Sequence, residues 1–583
     1  MADESTAIEG EKSPAADPWG TTTTTDATSA APSTEPIDPN NQNAASTSPP
    51  ADDDQPAASR KRHPPQFWIV IISLSLLAFI SALDTMIVTT ALPTITEELG
   101  GATEYVWIGN SFVFASSVLQ PLVGQLADIL GRKMPTVVSI VFFIVGSGIA
   151  GGANNTAAFI AGRAVQGVGA GGIYVLIDIV CCDLVPLRDR GKYLGIVNGW
   201  AGVAAALGPV LGGVLAQANW RWIFWMNIPI CVLPLAPIAL YLPAKKGNVL
   251  SGLRHVDYLG TLIFIPAIVA VLFGLVTGGV VYPWSSWRVI LSLVLGFLGW
   301  IAFHIQQNFA KNPSVPTRLF SNRTSAIGFV LTFLGSVALQ ALGYFLPVYF
   351  QAVLTTSVRQ SGINFLPVAI GCLFFAAIAG ISLSVFGFYK PIHGIAFGLS
   401  ILGYGLFTML DENTSKVAWA FFEIIAAGGL GMTISAVLPS ILAGLSQADV
   451  ASATATFSFI KTFGFIWGVT VPSVIFNGAV NDRVDHVSSP DLRDQLRDGR
   501  AYAFASQAKG ISRTLDPNLW SEVVHVYVES LKPIWWFGLG ISVFAFLLVF
   551  LEKEIPLSKE LNTEYGLEEN KHAPTESTTK GQV

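Results

Sequence analysis

Apolar residues in this chain run in long blocks and do not alternate with polar ones. Between about Trp68 and Leu551 the sequence holds fourteen such blocks, separated by mostly short polar connections. A helix rising about 1.5 Å per residue needs roughly 20 residues to cross the ~30 Å hydrocarbon layer of a bilayer. Only helices and closed barrels satisfy their backbone polar groups in that layer. The pattern predicts helices over about 68–92, 105–127, 135–152, 157–180, 193–217, 221–243, 258–281 and 287–306, then 324–350, 361–386, 391–410, 417–438, 454–476 and 533–551. The fold class that follows is an all-α polytopic membrane protein with fourteen transmembrane helices.

The ends differ from the middle. Residues 1–66 carry the Thr21–Thr25 run with many Ser, Ala, Pro and Asp and few large apolar side chains. Such a segment cannot offset its ordering entropy and is expected to be a disordered tail. It lacks the early apolar core of a signal peptide, so the first span is expected to direct its own insertion. Residues 552–583 are again polar and are expected to be unstructured. Lys and Arg in the short connections set the orientation. With the amino terminus inside, the cytosolic side collects 15 basic residues and the outer side 4 (Arg221, Arg288, Arg359, Lys416). Both termini are then cytosolic, as an even number of spans requires. The outer segment 477–532 is too long to count by that rule. Its Ser489-Pro490-Asp491, Leu492 and Leu496 predict a short helix ended by Gly499, and Asn518–Leu531 a second, amphipathic helix leading into the last span.

Composition narrows the function classes. The chain is 51% hydrophobic and 12% charged over 583 residues, where a soluble protein would carry about twice that charge. The net charge of −6 says little, because much of the acid lies in the tails. Cys181, Cys182, Cys231 and Cys372 lie in or beside apolar runs without metal-ligand spacing, and are read as packing residues. No Ser/His/Asp, zinc or phosphate-loop spacing is present, so neither an enzyme nor direct ATP drive is expected. No metal, cofactor or nucleic acid is expected either. The partners expected are a small-molecule substrate, protons and the bilayer, with the chain acting as a monomer.

Charges inside spans cost at least ~2.5–3.5 kcal/mol each at the bilayer centre, so each one asks for a role. Asp84 lies some 16 residues into the first predicted helix, roughly 24 Å along its axis. With no basic neighbour one turn away on that helix, it suits a group that binds and releases a proton; the plainer alternative is a packing acid bonded to Thr85 or Thr89. Arg163 keeps its proton, so its expected part is to bias the ionisation of an acid. Glu423, about six residues into the twelfth helix, could meet a cationic substrate or hold a second proton. Asp178, with Asp183 and Arg188-Asp189-Arg190 following, reads as part of a cytosolic charge network. Lys461 is expected at the cytosolic surface or paired with an acid, and His304 and His393, near helix ends, are expected to hydrogen-bond there.

Several motifs have a tighter grammar. Gly124-Gln125-Leu126-Ala127-Asp128-Ile129-Leu130-Gly131-Arg132-Lys133 falls at the turn between the second and third helices. Its glycines let the turn close, Asp128 can accept from a donor or face a cation, and Arg132 and Lys133 sit at the membrane surface. The spacing resembles the signature of the major facilitator superfamily, Gly-x-x-x-Asp-x-x-Gly-Arg-Lys. Arg163-Ala164-Val165-Gln166-Gly167-Val168-Gly169-Ala170 is similar to the fourth-helix motif of its proton-driven members. The stretch from Gly202 through Gly208-Pro209 to Gly212-Gly213 is similar to the fifth-helix motif of its exporters. Leu83-Asp84-Thr85 with Ala91-Leu92-Pro93, Trp220-Arg221-Trp222 with Asn227-Ile228-Pro229, and Leu346-Pro347-Val348-Tyr349-Phe350-Gln351 resemble the branch with fourteen spans.

That resemblance covers about 66–551 and implies a drug:proton antiporter, nearest to fungal toxin and multidrug efflux pumps. It implies a six-helix bundle over 67–243, two inserted helices over 244–310 and a second six-helix bundle over 311–551. Substrate would bind between the bundles near the midplane. Asp84, Arg163 and Glu423 become the candidates for proton coupling. Gly124, Asp128, Gly131, Arg132 and Lys133 become a cytosolic gating motif, and the helix-5 residues Gly202, Gly208, Pro209, Gly212 and Gly213 a seal against proton leak. An importer of siderophores or amino acids with the same fold remains the alternative, and a vacuolar or vesicle membrane the alternative to the plasma membrane.

Overall fold

The computed structural model describes residues 64–99, 105–245, 249–279, 281–497 and 499–558. Residues 1–63 and 559–583, hence nearly all of the first predicted tail and most of the second, lie outside the described residues, as do the side chain of Pro209 and the surroundings of Gly213. The described chain is mostly helical, with one isolated β-bridge between Gly278 and Tyr282. Its elements are α1 (Pro65–Leu99), α2 (Tyr105–Val118), α3 (Gln120–Leu130), α4 (Lys133–Gly151), α5 (Thr156–Leu184), α6 (Leu187–Asn219), α7 (Trp222–Trp225), α8 (Asn227–Tyr241), α9 (Val249–Leu253) and α10 (Tyr258–Thr277). They continue as α11 (Trp287–Phe309), α12 (Arg323–Val348), α13 (Val358–Asn364), α14 (Leu366–Phe386), α15 (Lys390–Phe407), α16 (Lys416–Leu442), α17 (Val450–Arg483), α18 (Pro490–Leu496), α19 (Ala501–Ile511) and α20 (Pro517–Phe550).

Among the described residues, twelve helical segments are long and apolar enough to cross a bilayer. Helices α6 and α15 stand where the other two predicted spans fall but are not among the twelve. Prolines account for several boundaries that apolar content alone misses. Pro121 cannot donate a backbone hydrogen bond and crowds the preceding turn, and the second predicted helix accordingly breaks at Leu119 into α2 and α3. Around Pro347, α12 passes into a π-helical turn, Tyr349–Val353, one of the quoted motifs. In contrast, α20 runs unbroken through Pro533, so the expected amphipathic helix Asn518–Leu531 and the last span are one helix. The expected helix ended by Gly499 is shorter: α18 stops at Leu496, and Gly499 takes a φ of +83° in the turn before α19, which the sequence reading did not anticipate.

The helices pack as two groups. Helix α1 lies against α6 and α8, and α5 against α2 and α4; later in the chain, α16 lies against α14 and α15, and α12 against α17 and α20. The main crossings between the groups are α6 with α14 and α3 with α17. Small residues permit close approach where side chains would hold helices apart. A methyl group on Gly169 of α5 would overlap the backbone of Ser139 and Phe143 on α4, and one on Gly124 of α3 would overlap Ala455 on α17. Of the helix-5 glycines, Gly208 is pressed on Met86 of α1, whereas Gly202 has Ala369 of α14 at ordinary contact distance, 3.8 Å from where a Cβ would stand. The small residues of α6 thus serve two partners and not one uniform face.

Lys245 reaches the α3–α4 turn, Arg132 of that turn holds Asp183 at the end of α5, and Arg188 at the start of α6 meets the end of α14; this end of the helices is called the basic face below. On the opposite face, beyond the apolar part of α1, Glu98 accepts from Trp220 Nε1 (2.7 Å) and Arg221 (2.5 Å). Those two bonds, that of Arg221 first, hold its carboxyl below the usual range. If close packing at Gly169 sets the α4–α5 spacing, Gly169→Val should destabilise the purified protein by about 1–3 kcal/mol and lower its thermal midpoint. An unchanged midpoint would show that α4 yields at this contact.

Candidate functional site

The charges within the amino-terminal group converge on one buried centre. Asp84 comes from α1, Arg163 and Gln166 from one turn of α5, Ser147 from α4 and Asn227 from the start of α8. Arg163 Nη1 donates to Asp84 Oδ2 at 2.5 Å and to Gln166 Oε1 at 2.6 Å. Gln166 Nε2 donates to Asp84 Oδ1 at 2.8 Å and Ser147 Oγ at 2.9 Å, and Asn227 Nδ2 to Asp84 Oδ1 at 2.7 Å. The Asp84 carboxylate therefore accepts three bonds, two of them neutral. It is 0% exposed and Arg163 2%. Phe112 and Phe224 flank the guanidinium, 4.2 and 5.6 Å from their ring centres. Arg163 Nε and Asn227 Oδ1 find no hydrogen-bond partner among the described residues.

The local sequence makes that meeting possible. A Cβ on Gly146 of α4 would run into the backbone of Gln166, and one on Gly167 into that of Phe112 on α2. Two glycines thus let α5 sink between α4 and α2 until Arg163 reaches α1. Sequence reasoning found Asp84 and Arg163 separately. It expected no basic partner for Asp84 because it looked along one helix; the partner arrives from another, 79 positions on. Thr85 turns its hydroxyl to Ser81 O at 3.0 Å and not to Asp84, and the side chain of Thr89 lies outside the described residues. Ser147, Gln166 and Asn227 were given no role, although Gln166 and Asn227 stood inside quoted motifs.

A second set lies at the basic face, around the α3–α4 turn. Gly131 holds a φ of +82°, a conformation that a residue with a Cβ enters at a cost. Arg132, 4% exposed, donates to Asp183 at 2.6 Å, to the Ala127 carbonyl at 2.6 Å and to Asp128 at 3.2 Å. Asp128 accepts in turn from Ser452 of α17 at 3.1 Å, and its carbonyl from Lys245 Nζ at 2.8 Å. Lys133 is half-buried at the start of α4. Deeper in the same crossing, Asp178 of α5 meets Lys461 of α17 at 3.8 Å and accepts from Asn198 of α6 at 3.3 Å. Lys461, expected at the surface or paired, is paired across the two groups. Arg188 and Asp189 at the start of α6 bind the end of α14: Arg188 Nε donates to Ser384 O at 2.6 Å, and Ser384 Oγ donates to Asp189. The two groups are thus fastened together at the basic face.

Glu423 stands apart from both sets. On α16 it is 0% exposed, and neither carboxyl oxygen has a hydrogen-bond partner among the described residues. Trp419, one turn earlier, is also buried with an unbonded indole N–H, inside an apolar cluster with Phe350 and Tyr404. An ionised carboxylate in such a place would carry the full cost of lost solvation.

Comparison with known proteins agrees with this architecture. A family model described as the Major Facilitator Superfamily matches residues 74–469. The chain is 42% identical over 517 residues to the MFS-type transporter gkaD of Penicillium citrinum, covering 88% of each. It is 41% identical over 522 residues to the MFS-type efflux pump LUC4 of a Fusarium species, covering 88% of this chain and 93% of that protein. It is 40% identical over 512 residues to the efflux pump FUS6 of Gibberella fujikuroi, covering 87% and 92%. Among solved structures, the human organic anion transporter MFSD10 (TETRAN) matches with a TM-score of 0.55 at 15% identity over 84% of this chain and 100% of that one, a likeness of fold alone.

Breaking a buried pair from one side leaves the other charge stranded. Arg163→Ala should therefore destabilise the purified protein by about 3–5 kcal/mol, and adding Asp84→Asn should recover part of the loss. Equal thermal midpoints for Arg163→Ala and the double variant would show that the two side chains do not depend on each other.

Proposed function

This chain belongs to the major facilitator superfamily and is a multi-pass membrane transporter, and from that premise we propose that it is a proton-coupled antiporter exporting small amphipathic organic molecules by alternating access. The observation that carries the coupling is the Asp84–Arg163 pair, ionisable and without contact with solvent. The efflux pumps among its relatives support the direction.

The basic face is assigned to the cytosol, with both termini there, because Lys and Arg favour the inner side of short connections. Helices α6 and α15 complete fourteen spans. The amino-terminal group is then the bundle 67–243, α10 and α11 the inserted pair within 244–310, and the carboxy-terminal group the bundle 311–551, with 477–532 an extracellular cap. The cell surface is the membrane that suits export of an organic molecule. An apolar passage with few charges suits an amphipathic substrate.

In this scheme the described conformation is closed at the cytosol, by Arg132, Asp128 and Asp183 with Ser452 and by Asp178 with Lys461. A proton taken up by Asp84 removes the charge that faces Arg163. The guanidinium is then buried without a counter-ion, and movement of α5 relative to α1 relieves the cost. Because α5 also carries Asp178 and Asp183, the same movement bears on the cytosolic contacts. Asn227 and Gln166 hold the carboxylate in place, and Ser147 holds both of them. Glu423, buried without a hydrogen-bond partner among the described residues, is the second proton site. Small residues along α6 keep the crossing with α14 tight, as a seal against leak requires.

Two measurements test this reading. In proteoliposomes with an amphipathic dye supplied outside, an imposed pH gradient should drive accumulation without ATP, and a protonophore should abolish it; accumulation indifferent to the protonophore would rule out proton coupling. Asp128→Ala should leave insertion intact and slow turnover about tenfold, given that a hydrogen bond involving a charged group contributes about 1.5–3 kcal/mol. Normal turnover by the purified variant would reduce the α3–α4 motif to a signal for orientation.

A further inference from the structure

The polar end of the chain was expected to be unstructured from Glu552 onward, yet Glu552–Ser558 runs as an ordered, extended strap across the basic face. It is anchored to the carboxy-terminal group along most of its length. Thr324 Oγ1 of α12 donates to the Lys553 carbonyl at 2.9 Å and accepts from the Lys553 N–H at 3.1 Å. The Tyr389 hydroxyl also donates to the Lys553 carbonyl and accepts from the Ile555 N–H at 2.9 Å. Lys390 Nζ donates to the carbonyls of Phe550 (3.2 Å) and Glu552 (2.8 Å). The Glu552 carboxyl meets His393 Nδ1 at 2.9 Å, with both side chains at 0% exposure. A buried ionisable pair of this kind marks the strap as part of the bundle.

Its far end leaves that bundle. Leu557, 6% exposed, belongs to an apolar cluster with Ala379, Leu383 and Ile392, and Leu187, the first residue of α6, packs against that cluster. The Ser558 carbonyl accepts from the Arg188 N–H at 3.1 Å. Helix α6 opens after Pro186, which offers no capping side chain. The first N–H groups of a helix have no partner within it, and the strap supplies one. The bond joins the two groups where Arg188 and Asp189 already grip the end of α14.

We propose that Glu552–Ser558 is a latch on the cytosolic gate. It moves with the carboxy-terminal bundle and, by capping α6 through Ser558 and burying Leu557 in the cluster that Leu187 joins, holds the cytosolic side closed; alternation must break both contacts. The inference rests on the alternating-access reading of the preceding section, but not on what drives the alternation.

Two experiments on the chain in lipid nanodiscs and proteoliposomes decide it. A chain ending at Ile555 keeps the Thr324, Tyr389 and His393 anchors, while one ending at Ser558 also keeps the latch; the two differ only by Pro556, Leu557 and Ser558. Spin labels at the exposed positions Met134 and Phe388, near the α3–α4 and α14–α15 turns, read the separation of the two groups at this face. Without substrate, the chain ending at Ile555 should show the open population raised roughly 2- to 12-fold, the span of one net hydrogen bond, and the chain ending at Ser558 should match the full-length protein. Identical distance distributions in all three would overturn the latch. In the second, Leu187→Cys with Leu557→Cys should form a disulfide under mild oxidation that stops turnover, and reduction should restore it. A pair that never cross-links, or one that transports at the unlinked rate once cross-linked, would overturn the latch as well. Insensitivity of the unmodified chain to a pH gradient would count against proton coupling alone, since the label distances are read without any gradient.

Discussion

Everything in the amino-terminal group is arranged around one requirement: a carboxylate and a guanidinium removed from water must not lose each other. An ion pair without solvent gains little net stability, but either member alone is costly. Asp84 and Arg163 meet that requirement through α1 and α5, helices that do not follow one another in the chain. Gly146 and Gly167 set how close the helices come, Gln166 and Asn227 occupy the remaining carboxylate oxygen, and the rings of Phe112 and Phe224 cover the guanidinium. A centre so completely enclosed ties together every helix that contributes a residue to it.

Helix α5 continues from this centre to the basic face. Below Arg163 on α5 come Asp178, opposite Lys461, and Asp183, holding Arg132. Both contacts lie in or beside the α3–α17 crossing, where Ser452 reaches Asp128. On the other side of that face, α6 and α14 close on each other at Gly191 and Gly380, with Arg188 and the strap beyond. The fastening is therefore spread over two crossings, one of charged side chains and one of small residues and backbone bonds. The carboxy-terminal group has a different interior: Glu423 lies there without a partner, in contrast to the fully bonded Asp84.

Much of this architecture is legible in the sequence, and the failures have common causes. Long apolar blocks locate the helices because the hydrocarbon layer allows no alternative, and the glycine–acid–glycine–basic spacing locates the α3–α4 turn. Pairings between helices cannot be read that way: nothing along α1 announces Arg163, and nothing along α5 announces Lys461. Pro121 and Pro533 have opposite effects, one at the start of a new helix and one tolerated within a helix, so the residue type alone does not locate the boundary. Helix α19 was missed because Ala-Tyr-Ala-Phe-Ala-Ser-Gln is short and only weakly apolar. The strap was missed because Glu552-Lys553-Glu554 reads as solvated, whereas Glu552 is buried on His393, a partner 159 positions earlier.

The central claim is that the charge on Asp84 is the coupling element, and the most direct test is Asp84→Asn, which mimics the protonated acid at nearly the same volume. Substrate binding and transport against a substrate gradient should be measured side by side on the purified variant. The account predicts that binding survives and that pH-driven uphill transport is lost. Uphill transport at a substantial rate would contradict it, leaving Asp84 a packing residue and moving the coupling to Glu423 or Asp178.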